Sequence, residues 1–247
     1  MIHSLHAVYR RELLAYFQTP LAYVFLAVFA FCAPAFAFHV GRFFDTNRAD
    51  LAPMFDYLPW LFVVLMPALA MRAWAEERDR GTLEFLMALP IPLWAATGGK
   101  FLAAWTVAGI ALALTFPMWI AVNYLGAPDN AAIATGYLGA WLMAGSYLAV
   151  GQALSATTSN QVVAFVLGTG AAFLLTMAGL PFVLSALGEN APALLSEFVA
   201  RLSALEHYDA FRYGVIGLSD LIYFTGLILV SLTIAGVLIA ERRGGGR

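Results

Sequence analysis

The chain has 247 residues, of which 62% are hydrophobic and 11% are charged, and its formal net charge is -2. Soluble domains contain about 45–50% apolar and about 25% charged residues, so this composition excludes an ordinary soluble domain and indicates an integral membrane protein. The near-neutral charge gives no indication of nucleic-acid binding. The single cysteine, Cys32, excludes a disulfide framework or a cysteine metal cluster.

Residues 1–19 are predicted to form an amphipathic helix in the membrane interface, and the segment does not have the form of a cleavable signal peptide. Apolar side chains, among them Tyr9 and Phe17, recur every three or four positions. Charged side chains fall at other positions of the same helix. These charged residues are Arg10, Arg11 and Glu12.

Six membrane spans are predicted, because six apolar runs approach the roughly 20 residues that a bilayer crossing requires. The spans are residues 21–40, 57–75, 101–124, 132–155, 162–178 and 221–240. The fifth apolar run is longer than one crossing and is interrupted at Gly179 and Pro181. Residues 180–205 are therefore predicted to form re-entrant or amphipathic helices, with Glu197 and Arg201 paired on one face. The fold class is all-α, with one transmembrane domain over residues 1–247.

The one dense cluster of charges in the sequence, EERDRGTLEFLMALPIP, follows the second span. Gly81 is the expected end of the preceding helix, because glycine tolerates the left-handed conformation found there. Thr82 is the expected cap of a short helix over residues 82–89, which Pro90 prevents from continuing. A solvated loop with a fortuitous apolar stripe is the alternative. The candidate site residues here are Glu76, Glu77, Arg78, Arg80, Gly81, Thr82, Leu83, Glu84, Leu86 and Pro90.

Lysine and arginine residues predict the orientation, because they are more frequent in cytoplasmic loops than in external ones. Of the 13 such residues, four lie on one predicted side of the membrane and the other nine on the opposite side. Both chain termini and the charged segment belong to the side with nine. We therefore expect these parts in the cytoplasm and residues 188–220 outside.

Several function classes lack their characteristic residues. No predicted span has an ionisable residue in its interior, which argues against ion-coupled secondary transport. The four histidines share no metal-ligand spacing, and Ser146 has no histidine at the same depth to activate it. Gly98, Gly99 and Lys100 do not complete a phosphate-binding loop. We expect no catalytic site, metal or cofactor in this chain, and an energy source on another subunit.

The order of an interfacial helix, two spans, the string EERxxGTLExL and Lys100 at the third span resembles ABC transporter permeases of the ABC-two class. The late segment LEHYDAFRYGVIGLSDLIYF extends the similarity over nearly the whole chain. The chain is most similar to the branch with gliding-motility permeases and the permease for nitrous oxide reductase maturation. The resemblance implies a connecting helix at residues 1–19, a coupling helix at 82–89 and external re-entrant helices at 180–205.

The resemblance also implies partners and a location. A permease of this class forms the pathway of an ATP-driven exporter as a homo- or heterodimer in the bacterial inner membrane. Its partner ABC ATPase binds ATP and Mg²⁺ and drives it through the coupling helix. An external accessory protein and membrane lipid are further expected partners. Two alternatives stay open: a non-transporting scaffold that recruits a cytoplasmic partner, and a mechanical or assembly complex that uses the same coupling.

A late segment completes the set of candidate residues. His207, Tyr208, Phe211 and Gly214 match a segment typical of this branch. No chemical role for them follows from the sequence. The alternative interpretation is that His207 and Phe211 only seat the external loop on the helix bundle.

Overall fold

The computed structural model describes residues 2–41, 43, 49–88, 90–186 and 193–244. Every regular element within these ranges is helical. In chain order the helices are α1 (Ile2–Gln18), α2 (Pro20–Ala35, continued by a π-helical turn, Phe36–Val40), α3 (Ala52–Ala70), α4 (Arg72–Asp79), α5 (Leu83–Ala88), α6 (Leu93–Ala113), α7 (Phe116–Leu125), α8 (Asn130–Ser155), α9 (Gln161–Met177), α10 (Pro181–Ala186), α11 (Ala193–Arg201), α12 (Ala204–Arg212) and α13 (Leu218–Gly244).

Five helical segments are long and apolar enough to cross a membrane. They are Pro20–Val40, Ala52–Asp79, Leu93–Leu125, Asn130–Ser155 and Leu218–Glu241. The prediction of an all-helical protein with membrane-spanning character is confirmed, and these segments correspond to five of the six predicted spans. The remaining one falls on α9, which is apolar but has 17 residues and is shorter than the other five.

The spacing of charges along α13 fits a bilayer. Asp220 lies in its first turn and Glu241 near its end, and no charged residue lies between them. At the rise of an α-helix this interval measures about 32 Å, close to the roughly 30 Å of the hydrocarbon core.

Two helices begin five or more residues before the predicted span. α3 begins at Ala52 rather than at residue 57, and α6 begins at Leu93 rather than at residue 101. In α3 a proline occupies the first turn, where its missing N–H costs nothing. The consequence is that Asp56 and Lys100, expected in a loop and at a span boundary, lie within helices.

The segment that was predicted to lie outside the cell is divided differently from the prediction. Within the predicted helical segment 180–205, α11 ends at Arg201, and a separate helix, α12, begins at Ala204 and continues to Arg212, beyond the predicted end. Ser203 explains the division, since its side chain accepts a hydrogen bond from the Glu206 N–H and so caps a new helix. The predicted pair between Glu197 and Arg201 is present at 2.8 Å, but both side chains are exposed and such pairs contribute little.

Helix α8 is the centre of the bundle, and glycines let its neighbours approach closely. A Cβ added at any of four of its glycines would lie 2.6–2.9 Å from a neighbouring helix. Small residues are favoured at such contacts in membranes, where packing replaces the hydrophobic driving force. The pairs are Gly136 with Phe55, Gly139 with Phe211, Gly145 with Trp105 and Gly151 with Ala70.

The contact between Gly139 and Phe211 gives a direct test of this packing. The added methyl group of Gly139→Ala would lie 2.6 Å from Phe211, which is fully buried. We expect this overpacking to cost about 1–3 kcal/mol of unfolding free energy, measured by thermal unfolding in detergent. Gly170→Ala is the matched control, because no atom lies within 4 Å of its added Cβ. Equal stability of the two variants would contradict the packing.

Candidate functional site

A buried cation joins three helices at one end of the bundle. The side chain of Lys100, on α6, is only 4% exposed. Its Nζ lies 2.7 Å from Glu77 Oε1 on α4 and 3.1 Å from Glu12 Oε1 on α1. The same Nζ lies 5.2 Å from the centre of the Trp74 ring, within the range of a cation–π contact. α1, α4 and α6 are thus held at one point.

Arg11 extends this cluster toward the surface. Its Nη2 lies 2.6 Å from Glu12 Oε1 and 3.5 Å from Glu77 Oε1, so cations and carboxylates alternate. Burial alone would raise the pKa of Glu12, but Lys100 and Arg11 together outweigh it and hold that pKa below its usual value. Glu12 is therefore a carboxylate at neutral pH. We call Glu12, Glu77, Lys100 and Arg11 the Lys100 cluster.

A second set of ion pairs lies beside the Lys100 cluster. The Arg72 guanidinium donates to both carboxylate oxygens of Glu76, at 2.6 and 3.1 Å, and Arg80 contacts the same carboxylate at 2.6 Å. Arg72 also donates to the Thr19 hydroxyl at 3.2 Å. Because Thr19 separates α1 from α2, this contact fixes the start of α2 to α4.

A break between α3 and α4 gives α4 its position. The two helices are separated by Met71, and Ser155, the last residue of α8, fills the gap in backbone hydrogen bonding. Its Oγ accepts from the N–H groups of Trp74 and Ala75 at 3.1 and 3.0 Å and donates to the Met71 carbonyl at 2.8 Å. Donors at a helix start need such partners. One hydroxyl thereby fixes the segment that carries Glu76 and Glu77.

The end of α4 has the predicted glycine stop. Gly81 has a φ of +67°. The Thr82 N–H donates to the Glu77 carbonyl at 2.9 Å, and the Gly81 N–H donates to the Arg78 carbonyl at 3.1 Å. This is the Schellman pattern of helix ends. The Thr82 hydroxyl also donates to the Glu77 carbonyl, at 3.3 Å, so this side chain helps to close α4.

The short helix after Gly81 is present, and a loop is excluded for the described part of this segment. α5 begins at Leu83 and is described through Ala88, so the predicted end at Leu89 lies outside the described residues. The side chain of Leu86 also lies outside them. Glu84 is exposed, Phe85 is 76% exposed, and Pro90 follows the helix on the surface.

A groove of about 790 Å³ lies between α1, α4 and α5. Buried Lys100 contributes to its wall, and the exposed ring of Phe85 lies at its edge. Charges of both signs face this space, together with apolar surface from residues such as Tyr16 and Phe85. Its walls include Arg11, Glu12, Tyr16, Arg72, Glu76 and Arg80.

The inner face of α1 differs from the predicted apolar stripe. Val8 and Tyr16 are buried, and Tyr16 donates to the Leu69 carbonyl at 3.1 Å. A Cβ added at Gly99 of α6 would lie 2.7 Å from Val8, so α1 packs directly on α6. Val8, Glu12 and Tyr16 are four residues apart and share a helix face, which is the signal that could have revealed the role of Glu12.

The remaining predicted residues of α1 lie around this inner face. Tyr9 is partly buried, and its hydroxyl lies 3.2 Å from Thr106 Oγ1 on α6. The ring of Phe17 makes an edge contact with Tyr23 on α2. Arg10 is exposed. α1 therefore contacts both α2 and α6 and is not a free amphipathic helix.

The late segment lies away from the Lys100 cluster. Phe211 and Tyr208 are fully buried, and Gly214 has a φ of +81°, a value that favours glycine. Near them Arg212 of α12 pairs with Asp56. Thr135 of α8 donates to the Phe211 carbonyl, whereas Ser155, which holds α4, lies twenty residues further along the same helix and so about 30 Å away. The structure thus brings together the predicted residues of α1, α4 and α5 but places the late segment at the other end.

Comparisons with known proteins do not assign this chain to a family. No protein-family model and no curated protein matches the chain. Within the described ranges, no group of three His, Cys, Asp or Glu side chains could hold a metal ion. The carboxylates of the Lys100 cluster are paired with cations of the protein itself, and these pairs join α1, α4 and α6.

Removal of Lys100 would leave Glu12 and Glu77 facing each other in a buried site. Breaking a buried ion pair in this way costs about 3–5 kcal/mol, so we expect Lys100→Met to lower the thermal unfolding temperature markedly. The loss should shrink as the pH is lowered from neutral, because protonation removes the repulsion between the carboxylates. Arg80→Met is the control, since it removes an exposed partner of Glu76 and should cost under about 1 kcal/mol. An unchanged thermal unfolding temperature of Lys100→Met would contradict the claim that the Lys100 cluster stabilises the fold.

The lowered pKa of Glu12 predicts a pH dependence with a defined sign. A carboxylate with a native pKa below its unfolded value stabilises the fold above that unfolded value, about 4.3, and loses this contribution as the pH falls through the native pKa. We therefore expect the difference in unfolding free energy between the wild type and Glu12→Gln to be largest near neutral pH. It should decrease in acid. Glu84→Gln, at an exposed position, should show little difference at any pH, and a flat profile for Glu12→Gln would refute the assignment.

Proposed function

We propose that this chain is the permease subunit of an ATP-driven ABC transporter of the exporter type, and that α5 receives motion from a separate ATPase subunit. The observation that carries the proposal is the connection of an exposed short helix to the membrane helices through a buried ion cluster. α5 follows directly on α4, and α4 carries Glu77, which binds Lys100.

The connection supports transmission of force. A displacement of α5 passes through the closed turn at Gly81 into α4, then through Glu77 and Lys100 into α6 and through Glu12 into α1. Each carboxylate lies within 3.1 Å of the ammonium, and water has little access to it. Buried charge pairs are screened far less than exposed ones, so this link stays tight at physiological salt.

The exposed face of α5 supports docking of a soluble partner. A short helix presents an apolar anchor and charges to a groove on its partner, and α5 presents Phe85 and Glu84 in this way. The Phe85 ring is 76% exposed and therefore accessible to a partner. The groove beside α5 would accept part of the same partner.

The topology that we propose has six crossings, with α9 as the fifth. Seventeen residues of helix extend about 26 Å, slightly less than the hydrocarbon core. α9 begins after the turn that follows Ser155 at the Lys100 end, and beyond its other end Gly179 packs on Ser203. An even number of crossings places both termini on one side, and the positive charges favour the cytoplasm. Two such subunits and two ATPase subunits would form the transporter, with α2, α3 and α9 lining the pathway.

The double variant Glu84→Lys, Phe85→Asp tests the docking role of α5. We expect it to insert normally into the membrane but to lose copurification of a coexpressed ABC ATPase subunit and the stimulation of its ATP hydrolysis. The reason is that the variant removes the apolar anchor and reverses the charge beside it. Leu194→Asp is the matched control, because Leu194 is 81% exposed on α11, another short amphipathic helix, and lies away from α5. It should leave both readouts unchanged.

Two outcomes would decide against the proposal. Undiminished copurification and ATPase stimulation in the double variant would remove α5 as the coupling element. An ATPase that binds through α5 but hydrolyses ATP at the same rate with and without this chain would favour the non-transporting scaffold.

A further inference from the structure

The two ring nitrogens of His207 both face hydrogen-bond acceptors. Nδ1 lies 2.7 Å from Asp220 Oδ1 on α13, and Nε2 lies 3.1 Å from the Arg201 carbonyl oxygen at the end of α11. Neither an ionised carboxylate nor a carbonyl can donate a proton. Both contacts are hydrogen bonds only when both nitrogens carry a proton. The geometry therefore fits the charged, doubly protonated ring.

Loss of one proton would affect the two contacts unequally. A neutral ring has a single N–H, and the ionised carboxylate of Asp220 is a stronger acceptor than the carbonyl of Arg201. The remaining proton therefore stays on Nδ1, and the Nε2 lone pair faces the Arg201 carbonyl oxygen at 3.1 Å. The link between α12 and α13 persists, whereas the link to α11 becomes repulsive.

Tyr223 contacts the His207 ring and reinforces the attachment of α11. Its ring stacks on His207 with centroids 4.1 Å apart and an interplanar angle of 19°. The Tyr223 hydroxyl donates to the Leu202 carbonyl at 2.6 Å, one residue beyond the carbonyl that His207 binds. The end of α11 is thus held by two adjacent side-chain hydrogen bonds.

Among the other ionisable groups on the neighbouring helices, the buried hydroxyl of Tyr208 on α12 has no hydrogen-bond partner. The groups named next are paired or exposed. Asp220 is the charged side chain that contacts the ring, and Ser219 Oγ donates to it at 3.4 Å. Glu197 and Arg201 pair with each other on α11, and Glu206 on α12 is exposed. The remaining groups are Asp209, Arg212 and Asp56, which pair together, and Tyr137 and Tyr147 of α8, whose hydroxyl groups contact Thr115 and Thr176.

We propose that His207 is a proton-operated latch. The charged ring holds the C-terminal end of α11 against α12 and α13, and the neutral ring releases it. The latch is closed while both ring nitrogens carry a proton and opens when one of these protons is lost. α11 carries exposed Leu194 and Phe198, so its release changes how this apolar face is presented. The latch is independent of the docking role proposed for α5.

Distances between spin labels on α11 and α13 test the latch. In the full chain with Cys32→Ala, nitroxides are attached at Leu194→Cys and Leu229→Cys, both exposed positions, and the protein is placed in lipid nanodiscs. At about pH 5.5 we expect one narrow distance distribution, and at about pH 8.5 a several-fold larger broad component. His207→Gln should give the same distribution at both pH values. His39→Gln, at an exposed histidine outside the latch, should respond like the wild type.

A second variant keeps the test decisive if His207→Gln fails to fold. Tyr223→Phe keeps the stacked ring but removes the hydrogen bond to Leu202, so the broad component at high pH should exceed that of the wild type. Identical wild-type distributions at the two pH values would overturn the latch. A pH response that persists in His207→Gln, or a Tyr223→Phe variant that matches the wild type at high pH, would also overturn it.

Discussion

Lys100 is a cation in a site that water barely reaches, held between carboxylates from two other helices. A buried ammonium is costly unless its partners are placed well, so its presence constrains everything around it. Glu12 requires α1 to lie against the first turns of α6, and glycine at position 99 makes that approach possible. Glu77 requires α4 to turn at Met71. The positions of α1, α4 and α6 are therefore constrained by the buried charge of Lys100.

The same constraint explains details that otherwise seem unrelated. The turn at Met71 leaves backbone donors at the start of α4 without helical partners, and Ser155 supplies an acceptor from α8. α4 must then end soon after Glu77, and Gly81 ends it in the left-handed conformation that glycine adopts at little cost. α5 consequently begins within a few residues of the Lys100 cluster. An exposed helix so close to a buried ion cluster is the physical basis for the coupling that we propose.

Several of these features were readable from the sequence, because they depend on local composition. Apolar runs predicted the helices that are long enough to span a membrane, and glycine at position 81 predicted the end of α4. The partnership of Lys100 with Glu12 could not be predicted, since the two residues are 88 positions apart and each appeared to lie at a polar boundary. The first residues of α3 and α6 were not predicted either, because these helix starts also depend on partners that are distant in the sequence. Asp56 and Lys100 border polar segments in the sequence, and their positions inside helices are explained by their partners Arg212 and Glu77.

In the late segment, the sequence identified the notable residues but not their contacts. His207, Tyr208, Phe211 and Gly214 stood out in the sequence, yet the structure separates their contacts. Phe211 packs against Gly139 in the bundle, which agrees with a seating role, whereas His207 binds groups on two other helices. One motif therefore combines packing and a polar contact, and only the three-dimensional positions of Arg201 and Asp220 distinguish them.

The most direct test of the central claim is a double-mutant cycle between Lys100 and Glu77, measured as unfolding free energies of Lys100→Met, Glu77→Gln and the double variant. Residues in direct contact within an ion network show coupling of about 0.5–3 kcal/mol, and we predict a value in the upper half of that range. Both single variants should be less stable than the wild type. Additive effects of the two substitutions, within about 0.5 kcal/mol, would contradict the claim that this ion pair joins α4 to α6.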